Sequence, residues 1–520
     1  MSQMLKSSGA MGLATMVSRL LGLVRELVYA AFMGTTEIAG AFAFAYSIPN
    51  LFRRLLGEGA LTAAFIPIFK TKEKTEGEVE MWRSANAVIS GLIVSASVII
   101  GLVVIGITFA LHGMALEPTT ELMLRLLRIM FPYMLLVCIA AVCMGMLNAR
   151  GHFFIPALGA TMLNVVMIAA VLFLAPVMGE ELEEQIFALA IGVVVAGIAQ
   201  AAFQLPTLFG EGFHYRWVSP WRDGTVREVV RKMLPASVGV AAFQINVLIT
   251  QWMAFTEQES IVAEFVYAVR LMELPQGIFG ASLATVLLPT LAGFAAEKNF
   301  KDFRATLVQG TNYLFFINLL AAILLFVLAE PIIRLLFERG KFTAFSTAQV
   351  SFALICLAPG LLAFSLVNIF ARAFYALGDV KIPMRISVFC LLMNILLAAM
   401  FLFVFELGAG GLGIANSISS ALNVTLLVFA LKKKMKNLDF STFRMQLGRL
   451  LACAVGAGGA AWVTVHYWTR GIGHESFWSK MGEVFLPMTA ATLVYFSLAV
   501  WLKIPSAQDV FVLLTKRLRR

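Results

Sequence analysis

Long apolar runs of about 20 residues recur along almost the whole of this 520-residue sequence. A helix rises about 1.5 Å per residue, so a run of this length spans the ~30 Å hydrocarbon core of a bilayer. The composition agrees, because 60% of the residues are hydrophobic and only 13% are charged, against about 25% in a typical soluble domain. The alternating ~10-residue strands of a membrane barrel do not occur. The sequence therefore predicts an all-α integral membrane protein.

Polar breaks divide the apolar runs into about fourteen predicted transmembrane helices. Their predicted ranges are 8–33, 37–68, 84–111, 121–148, 155–176, 185–209, 234–255, 261–292, 305–328, 348–376, 383–405, 408–431, 446–468 and 482–503. Alternate loops are rich in lysine and arginine, as at 70–74, 210–232, 432–436 and 516–520. Because cytoplasmic loops carry the excess of cations, both termini are predicted to be cytoplasmic. The same bias accounts for most of the net charge of +10 without a nucleic-acid partner.

The sequence contains an internal resemblance between residues 131–158 and residues 358–385. Three helix-breaking residues keep one offset of 227 residues: Pro132 with Pro359, Gly151 with Gly378, and Pro156 with Pro383. An offset of six helices predicts two pseudo-symmetric lobes with a binding site between them. The predicted domains are an N-lobe at 1–232, a C-lobe at 233–437, and two additional helices with a basic tail at 438–520. The alternative is a common helix–turn–helix that the chain uses twice.

Charged residues interrupt the first apolar run, in the stretch MVSRLLGLVRELV (16–28). On a helical wheel of 100° per residue, Arg19, Arg25 and Glu26 fall in one arc with Ser18 and the glycines of the segment. Leucines and valines occupy the opposite side. A helix of this kind turns its polar face toward protein or water and away from lipid.

Two further predicted helices carry polar residues at helical spacing. In the stretch SIPNLFRRLLGEGAL (47–61), Arg53 follows Asn50 by three residues and Glu58 follows it by eight. The stretch YAVRLMELPQG (267–277) places Arg270 and Glu273 three apart. Each stretch also contains a proline, which bends a helix or allows a close approach.

The four arginines Arg19, Arg25, Arg53 and Arg270 would be costly in contact with lipid. An arginine at a helix centre costs about 2.5–3.5 kcal/mol on insertion scales, so four would cost on the order of 10–14 kcal/mol. They must therefore be hydrated or paired. A guanidinium fork binds phosphate in a bidentate way, so spare arginines between two lobes indicate a receptor for an anion.

Structural roles are the alternative for several of these charges. Arg19 with Glu26, and Arg270 with Glu273, are candidates for ion pairs that hold helices together. Two other arginines, Arg125 and Arg128, occur at the predicted outer start of the fourth helix, where we interpret them as interface anchors.

Motifs typical of enzymes and metal sites do not occur in the sequence. The five cysteines are scattered through apolar segments without a CxxC motif, and the five histidines form no catalytic pattern. There is no P-loop and no HExxH motif. The sequence therefore predicts neither an enzyme nor a resident cofactor or metal.

Five stretches together resemble the MurJ (MviN) family, the lipid II flippases of the multidrug/oligosaccharidyl-lipid/polysaccharide exporter superfamily. They are SRLLGLVRELVYAAFMG, IPNLFRRLLGEGALTAAFIPIF, RLMELPQGIFGASLATVLLP, LFERGKFT and RAFYALGDVKIP. They occur in the family's order and spacing between about residues 7 and 435. The PNLFRRLLGEGA stretch is highly specific.

The resemblance implies fourteen helices in two six-helix lobes plus a C-terminal pair, around a V-shaped central cavity lined with essential arginines. Carried over to this sequence, those arginines are Arg19, Arg25, Arg53 and Arg270. Further polar cavity positions of the motifs correspond to Ser18, Asn50, Glu58 and Glu273.

The implied substrate is lipid II, the undecaprenyl-diphosphate-linked disaccharide-pentapeptide, which would cross the bacterial cytoplasmic membrane by alternating access. The implied partners are this substrate and membrane lipids, and the protein is expected to work as a monomer. Some relatives bind Na⁺ through acids on helices 7 and 11, whereas the seventh helix here offers only Gln244, Asn246 and Gln251. Coupling to Na⁺ or H⁺ is thus left unassigned.

Three rival functions stay open at this point. One is a flippase for another undecaprenyl-diphosphate-linked oligosaccharide, which would share the diphosphate chemistry. Another is a drug/cation antiporter, which ranks lower because its site would need net acid, whereas these helices carry net base. The third is a non-transporting scaffold for cell-wall enzymes, which would not need amphipathic helices lined with arginine.

Overall fold

A computed structural model of the chain describes residues 2–55, 61–221, 223–435 and 441–509. Within them, side chains are described from residue 16 onward, except at 62–63, 235–240, 281–282, 284–285 and 441–444. All the regular secondary structure in these ranges is helical. The prediction of an all-α fold is confirmed.

The chain divides into two compact units, Met1–Ala263 and Glu264–Arg520. The helices of the first unit are α1 Ser2–Met33, α2 Glu37–Phe52, α3 Leu61–Glu76, α4 Glu78–Gly113, α5 Pro118–Met130, α6 Tyr133–Ala149, α7 Phe154–Ala169, α8 Ala175–Met178, α9 Leu182–Ala202, α10 Leu205–Gly210 and α11 Gly224–Glu257. The boundary of the units falls inside the next helix, α12 Ser260–Pro275.

The second unit contains the rest of α12 and nine further helices. These are α13 Ala281–Ala296, α14 Phe300–Val327, α15 Ala329–Phe337, α16 Ala344–Leu357, α17 Gly360–Ala376, α18 Lys381–Phe403, α19 Gly408–Lys434, α20 Ser441–Gly471 and α21 Phe477–Trp501. The pair α20 and α21 packs on α14, where the Tyr495 hydroxyl donates a 2.8 Å hydrogen bond to the Phe316 carbonyl.

Nine helical segments in the described residues are long and apolar enough to cross a membrane, and a tenth is added if the pair α16 and α17, bent by 45°, is one span. The other predicted spans are 8–33, 37–68, 234–255 and 261–292, and three of these hold all four candidate arginines. The protein is a multi-pass membrane protein. The count of fourteen spans stays a prediction.

Six predicted single helices are broken in the structure. Two of them break shortly before a proline: 155–176 has a π-helical turn at Ala170–Leu174, before Pro176, and 185–209 breaks at 203–204, before Pro206. The span 37–68 changes into a π-helical turn at 53–55, four residues after Pro49, and the span 261–292 has a π-helical turn at Gln276–Gly280, directly after Pro275. The spans 121–148 and 348–376 break before α6 and α17. Proline removes a backbone donor and crowds the preceding turn, which explains why each break lies close to a proline.

The predicted repeat has a matching backbone in the two units. Pro132 and Pro359 directly precede α6 and α17, while Pro156 and Pro383 are the third residues of α7 and α18. The turns between these helices contain Gly151 and Gly378, both with positive φ, at 92° and 72°. The amide of the residue after each glycine donates to the carbonyl five residues earlier, at 2.9 and 3.0 Å. This is the pattern of a glycine-terminated helix.

The helix α11 packs within the first unit, although the repeat prediction assigns residues 234–255 to the C-lobe. The rings of Phe44 on α2 and Phe255 on α11 have centroids 5.3 Å apart. Near the other end of α11, the hydroxyls of Ser84 and Thr225 are 3.3 Å apart. The contacts thus group the chain differently from the repeat, and the predicted domain limits at 232 and 437 stay predictions about the repeat.

Candidate functional site

The helix α1 carries the first two candidate arginines. Arg19 is exposed and has no ion-pair partner among the described side chains. Ser18 is half-buried, and its carbonyl accepts a 3.2 Å hydrogen bond from Nδ2 of Asn164 on α7. A Cβ at Gly22, one turn further on, would be 3.7 Å from the same amide. The helix α7 therefore packs against part of the polar face, and Arg19 lies on the part that stays open.

Arg25 is enclosed, in contrast to Arg19. Its Nη2 is 2.5 Å from Oε1 of Glu26, and the two side chains are only 11% and 8% exposed. The guanidinium carbon lies 5.5 Å from the centre of the Tyr29 ring, within the range of a cation–π contact. The Tyr29 ring in turn meets the Phe42 ring of α2 edge-on, at 6.1 Å between centroids. Arg25 is thus held by a carboxylate and an aromatic ring.

The structural alternative that paired Arg19 with Glu26 is wrong, because Glu26 pairs with Arg25. A helical wheel places Cα directions, and it puts Glu26 close to Arg19 and 100° from Arg25. The long arginine side chain can fold back along the helix to its sequence neighbour. Burial of Glu26, which is 6% exposed, favours the partner that is buried with it.

The second helix places two predicted site residues in contact. Nε of Arg53 donates a 2.8 Å hydrogen bond to Oδ1 of Asn50, and both residues are half-buried. Arg53 is the first residue of the π-helical turn that follows α2. The third candidate from this stretch, Glu58, lies outside the described residues.

The helix α12 carries a more open pair. Nη1 of Arg270 is 2.9 Å from Oε2 of Glu273, and the side chains are 35% and 45% exposed. The pair lies in the last turns of α12, just before Pro275 and the π-helical turn. Arg270 can therefore reach a ligand without leaving a buried carboxylate behind.

The role of Tyr267 was not foreseen from the sequence. Its buried ring lies 5.3 Å from the ring of Phe337 and 5.7 Å from that of Phe342, both in the stretch LFERGKFT. Glu264, one turn earlier in α12, is also buried. The nearest signal in the sequence is the stretch RLLFERGKF (334–342), which is basic although it lies between helices whose connecting loop is predicted to be on the outer side.

Ion pairs fasten Glu338 of this stretch, and Arg334 just before the stretch, to other helices of the second unit. Nη1 of Arg334 is 2.7 Å from Oε1 of the buried Glu483 on α21. Glu338 accepts hydrogen bonds from Oγ1 of Thr347 at 2.8 Å and from Nζ of Lys480 at 3.2 Å. Burial raises the pKa of Glu338, but these two hydrogen bonds and the positive charges of Lys480 and Arg334 together hold the pKa below its usual range. The stretch is thus a packed junction between α12, α16 and α21.

A second ion-pair network lies at the predicted cytoplasmic end of the first unit. Arg150 contacts Glu73, Glu78 and Glu211 at 2.6, 2.8 and 2.7 Å, and His152 lies 2.8 Å from Glu211. The hydrogen bond with Glu211 is the main cause of a raised pKa at Arg150. The bonds from His152 and then Arg150 lower the pKa of Glu211. The network joins α3, α4 and the end of α10 to the Gly151 turn.

Three of the four candidate arginines thus have a local contact among the described residues: Arg25 with Glu26, Arg53 with Asn50, and Arg270 with Glu273. No group of three or more His, Cys, Asp or Glu side chains in the described part of the chain could hold a metal ion. The donors available to a ligand are guanidinium groups, which suit an anion with several oxygens. The binding roles of these residues stay predictions.

The family model described as "Lipid II flippase MurJ" matches residues 29–482 of this sequence. The chain belongs to the MurJ family. Among MurJ relatives, the probable lipid II flippase of Vibrio cholerae is 35% identical over 438 residues, covering 82% of each chain. The probable lipid II flippase of Haemophilus influenzae is 34% identical over 477 residues, covering 87% of this chain and 91% of its own.

A solved MurJ structure has the same fold. The lipid II flippase MurJ in an inward closed conformation superposes with a TM-score of 0.78 and 23% sequence identity, covering 95% of this chain and 98% of that one. The likeness extends past the end of the family model, so the fold includes the C-terminal part of the chain. This agrees with the fold class that the MurJ motifs imply.

Proposed function

We propose that this chain moves lipid II from the inner to the outer leaflet of the bacterial cytoplasmic membrane by alternating access. Membership of the MurJ family supports the substrate. The observation that carries the proposal is the exposure of Arg270, an arginine of the predicted span 261–292 whose side chain is 35% exposed and whose partner Glu273 is 45% exposed. An arginine in this setting needs water or an anion, because contact with lipid would cost several kcal/mol.

The candidate arginines have different roles in this proposal. Arg19 and Arg270 are the open ones, and they bind the diphosphate through charge-assisted hydrogen bonds. Arg53 contributes with its Asn50 contact, and Ser18 and Glu58 belong to the same polar lining. Arg25, enclosed by Glu26 and Tyr29, positions the polar face of α1.

The proposed setting follows from the loop charges. Both termini lie in the cytoplasm, and the protein works as a monomer that contacts membrane lipids and has no catalytic chemistry of its own.

An inside-negative potential drives an anion outward, and one unit charge crossing 100 mV is worth about 2.3 kcal/mol. Membrane potential is therefore the proposed drive, and a role for Na⁺ or H⁺ is a separate question for the same experiment.

The test uses cells in which this protein is the sole lipid II flippase. Outer-leaflet lipid II is measured with and without membrane potential, for the wild type, Arg270→Ala and the control Arg83→Gln. Arg83 is an exposed arginine of α4 paired with Glu80, so the control removes the same charge elsewhere. We expect about a tenfold or greater loss for Arg270→Ala, as for the loss of a charge-assisted hydrogen bond, and normal activity for Arg83→Gln.

Two results would count against the proposal. One is full outer-leaflet exposure of lipid II in Arg270→Ala and Arg19→Ala cells. The other is failure of the wild-type chain to restore lipid II exposure while it moves another undecaprenyl-diphosphate-linked oligosaccharide. Replacing Na⁺ in the medium or collapsing the proton gradient at constant potential then shows whether either ion is coupled.

A further inference from the structure

A pocket of about 360 Å³ lies in the first unit, where α4 ends and α5 and α9 begin. Its walls include two arginines, a glutamate, a histidine and apolar side chains: Arg125, Arg128, Glu121, His112, Leu111 and Phe187. The loop charges place this end of the three helices on the outer side of the membrane. The residues that line the pocket include none of the candidate arginines of α1, α2 and α12.

The pocket carries a net positive charge. Arg125 is paired with Glu121, one turn earlier on α5. Arg128 is half-buried and has neither an ion pair nor a hydrogen bond among the described side chains. Two guanidinium cations face one carboxylate there. The guanidinium of Arg128 is therefore available for an anion, and its planar fork matches phosphate oxygens.

Arg128 lies at the depth of lipid headgroups. The helices α5 and α6 form one apolar span, Pro118–Ala149, whose far end is at the predicted cytoplasmic surface. A helix needs about 20 residues to cross ~30 Å of hydrocarbon. Counting back from Ala149 by that number reaches residue 129, next to Arg128. The arginine is thus at the outer boundary of the hydrocarbon, where a phosphate group of the outer leaflet would lie.

An apolar stripe on α4 leads to the pocket. Val98, Leu102, Ile105 and Phe109 are exposed and follow one another at spacings of four, three and four residues. The next position of this stripe is His112, in the wall of the pocket. From Val98 to Phe109 the helix rises about 16 Å, close to half of the hydrocarbon thickness. An acyl chain of one leaflet along this stripe would bring its headgroup to Arg128.

We propose that this pocket binds the headgroup of an anionic phospholipid in the outer leaflet. Arg128 binds the phosphate, and Leu111 and Phe187 contact the glycerol and the first methylene groups. The volume of about 360 Å³ is near the lower end of small-molecule pockets, which span roughly 300–1,000 Å³. It suits a small headgroup and is too small for a disaccharide-pentapeptide.

The experiment titrates the purified full-length protein with phosphatidylglycerol or phosphatidylcholine and counts bound lipid by native mass spectrometry. For the wild type we expect one phosphatidylglycerol to bind about tenfold more tightly than phosphatidylcholine. Arg128→Gln should lose this preference, because it leaves Arg125 and Glu121 with no net charge between them, so the pocket no longer favours a net anionic headgroup over a zwitterionic one that carries the same phosphate. The control Arg83→Gln should keep it.

Three results would overturn the proposal. In the first, Arg128→Gln binds phosphatidylglycerol as the wild type does. In the second, inorganic phosphate displaces the lipid at equal concentration, which would make this a site for a free anion. In the third, lipid II displaces phosphatidylglycerol one for one, which would make it a site for a lipid-linked diphosphate. If Arg128→Gln does not fold, Leu111→Trp fills the pocket without removing charge and should also abolish the preference.

Discussion

In the first unit Arg25 is enclosed by Glu26 and Tyr29, whereas in the second unit Arg270 shares a wider space with Glu273. The N–O distances of the two pairs, 2.5 and 2.9 Å, are similar, but the arginine side chains are 11% and 35% exposed. From this difference we infer two roles for an arginine next to an acid in these predicted spans. A buried pair holds a helix in place, while an open pair can exchange its carboxylate for a ligand.

The turns around Gly151 and Gly378 differ in another way. Their backbones have the same conformation, but the charged side chains around them are different. Arg150 in the first unit lies among three carboxylates, and the equivalent position in the second unit is Leu377. Asp379, equivalent to His152, is instead 2.5 Å from Lys434. The two units thus share the geometry of their helix ends, while the ion pairs that stabilise those ends differ.

The largest effect is expected when the ion pair between Arg25 and Glu26 is broken. We expect Arg25→Ala to lower the free energy of unfolding by about 3–5 kcal/mol, because it takes a guanidinium away from the buried carboxylate of Glu26. Arg270→Ala should lower it by about 1 kcal/mol or less, as is usual for exposed pairs. Thermal unfolding of the purified variants measures both.

The matched control for this prediction is the double variant Arg25→Leu with Glu26→Leu. Replacing both members of a buried pair by apolar residues is often neutral, so the double variant should be more stable than Arg25→Ala. Equal losses for Arg25→Ala and Arg270→Ala would contradict the distinction between a buried and an open pair.

An intermediate effect tests the equivalence of the two turns. A Cβ added at Gly151 or Gly378 would meet no atom within 4 Å, so only the positive φ opposes alanine. We expect Gly151→Ala and Gly378→Ala each to lower the free energy of unfolding by about 1–2 kcal/mol. Gly101→Ala in the middle of α4 should instead raise the free energy of unfolding, since alanine is the better helix former there. Clearly unequal losses at the two turns would mean that they are not equivalent.

The smallest effect concerns pH at the Gly151 turn. Hydrogen bonds from Lys70 and Arg150 lower the pKa of Glu73, and those from His152 and Arg150 lower the pKa of Glu211. Their stabilisation is present above the unfolded carboxyl pKa of about 4.3 and is lost as the pH falls through the lower folded values. Hydrogen exchange at residues 150–153 should therefore increase below about pH 4.

The variant Arg150→Met provides the comparison for this pH effect. It should remove part of the acid dependence and cost about 0.5–1 kcal/mol at neutral pH, because these pairs are only partly buried. At the Gly378 turn, Lys434 lowers the pKa of Asp379, so exchange there should respond to acid but not to Arg150→Met. A response of both turns to Arg150→Met would show that they are coupled.

Much of this architecture could be predicted from the order of residues. Apolar runs of about 20 residues predict helices because backbone groups in a bilayer must pair within their own segment. Pro132, Gly151 and Pro156 mark the breaks of their segment because each limits the backbone locally. The polar arc of α1 also follows from local spacing, and so do the candidate arginines, whose roles in binding stay predictions.

The partner of each charge depended on the tertiary structure. The wheel placed Glu26 near Arg19, but burial and the ring of Tyr29 pair it with Arg25. In the same way, the contacts of α11 with α2 and α4, and of Tyr267 with the LFERGKFT stretch, join segments far apart in sequence. The sequence by itself determined the helices, their breaks and the repeated turns, because these depend on interactions over a few residues. Only the tertiary structure decided which arginines are enclosed and which are open, because burial depends on the helices packed around them.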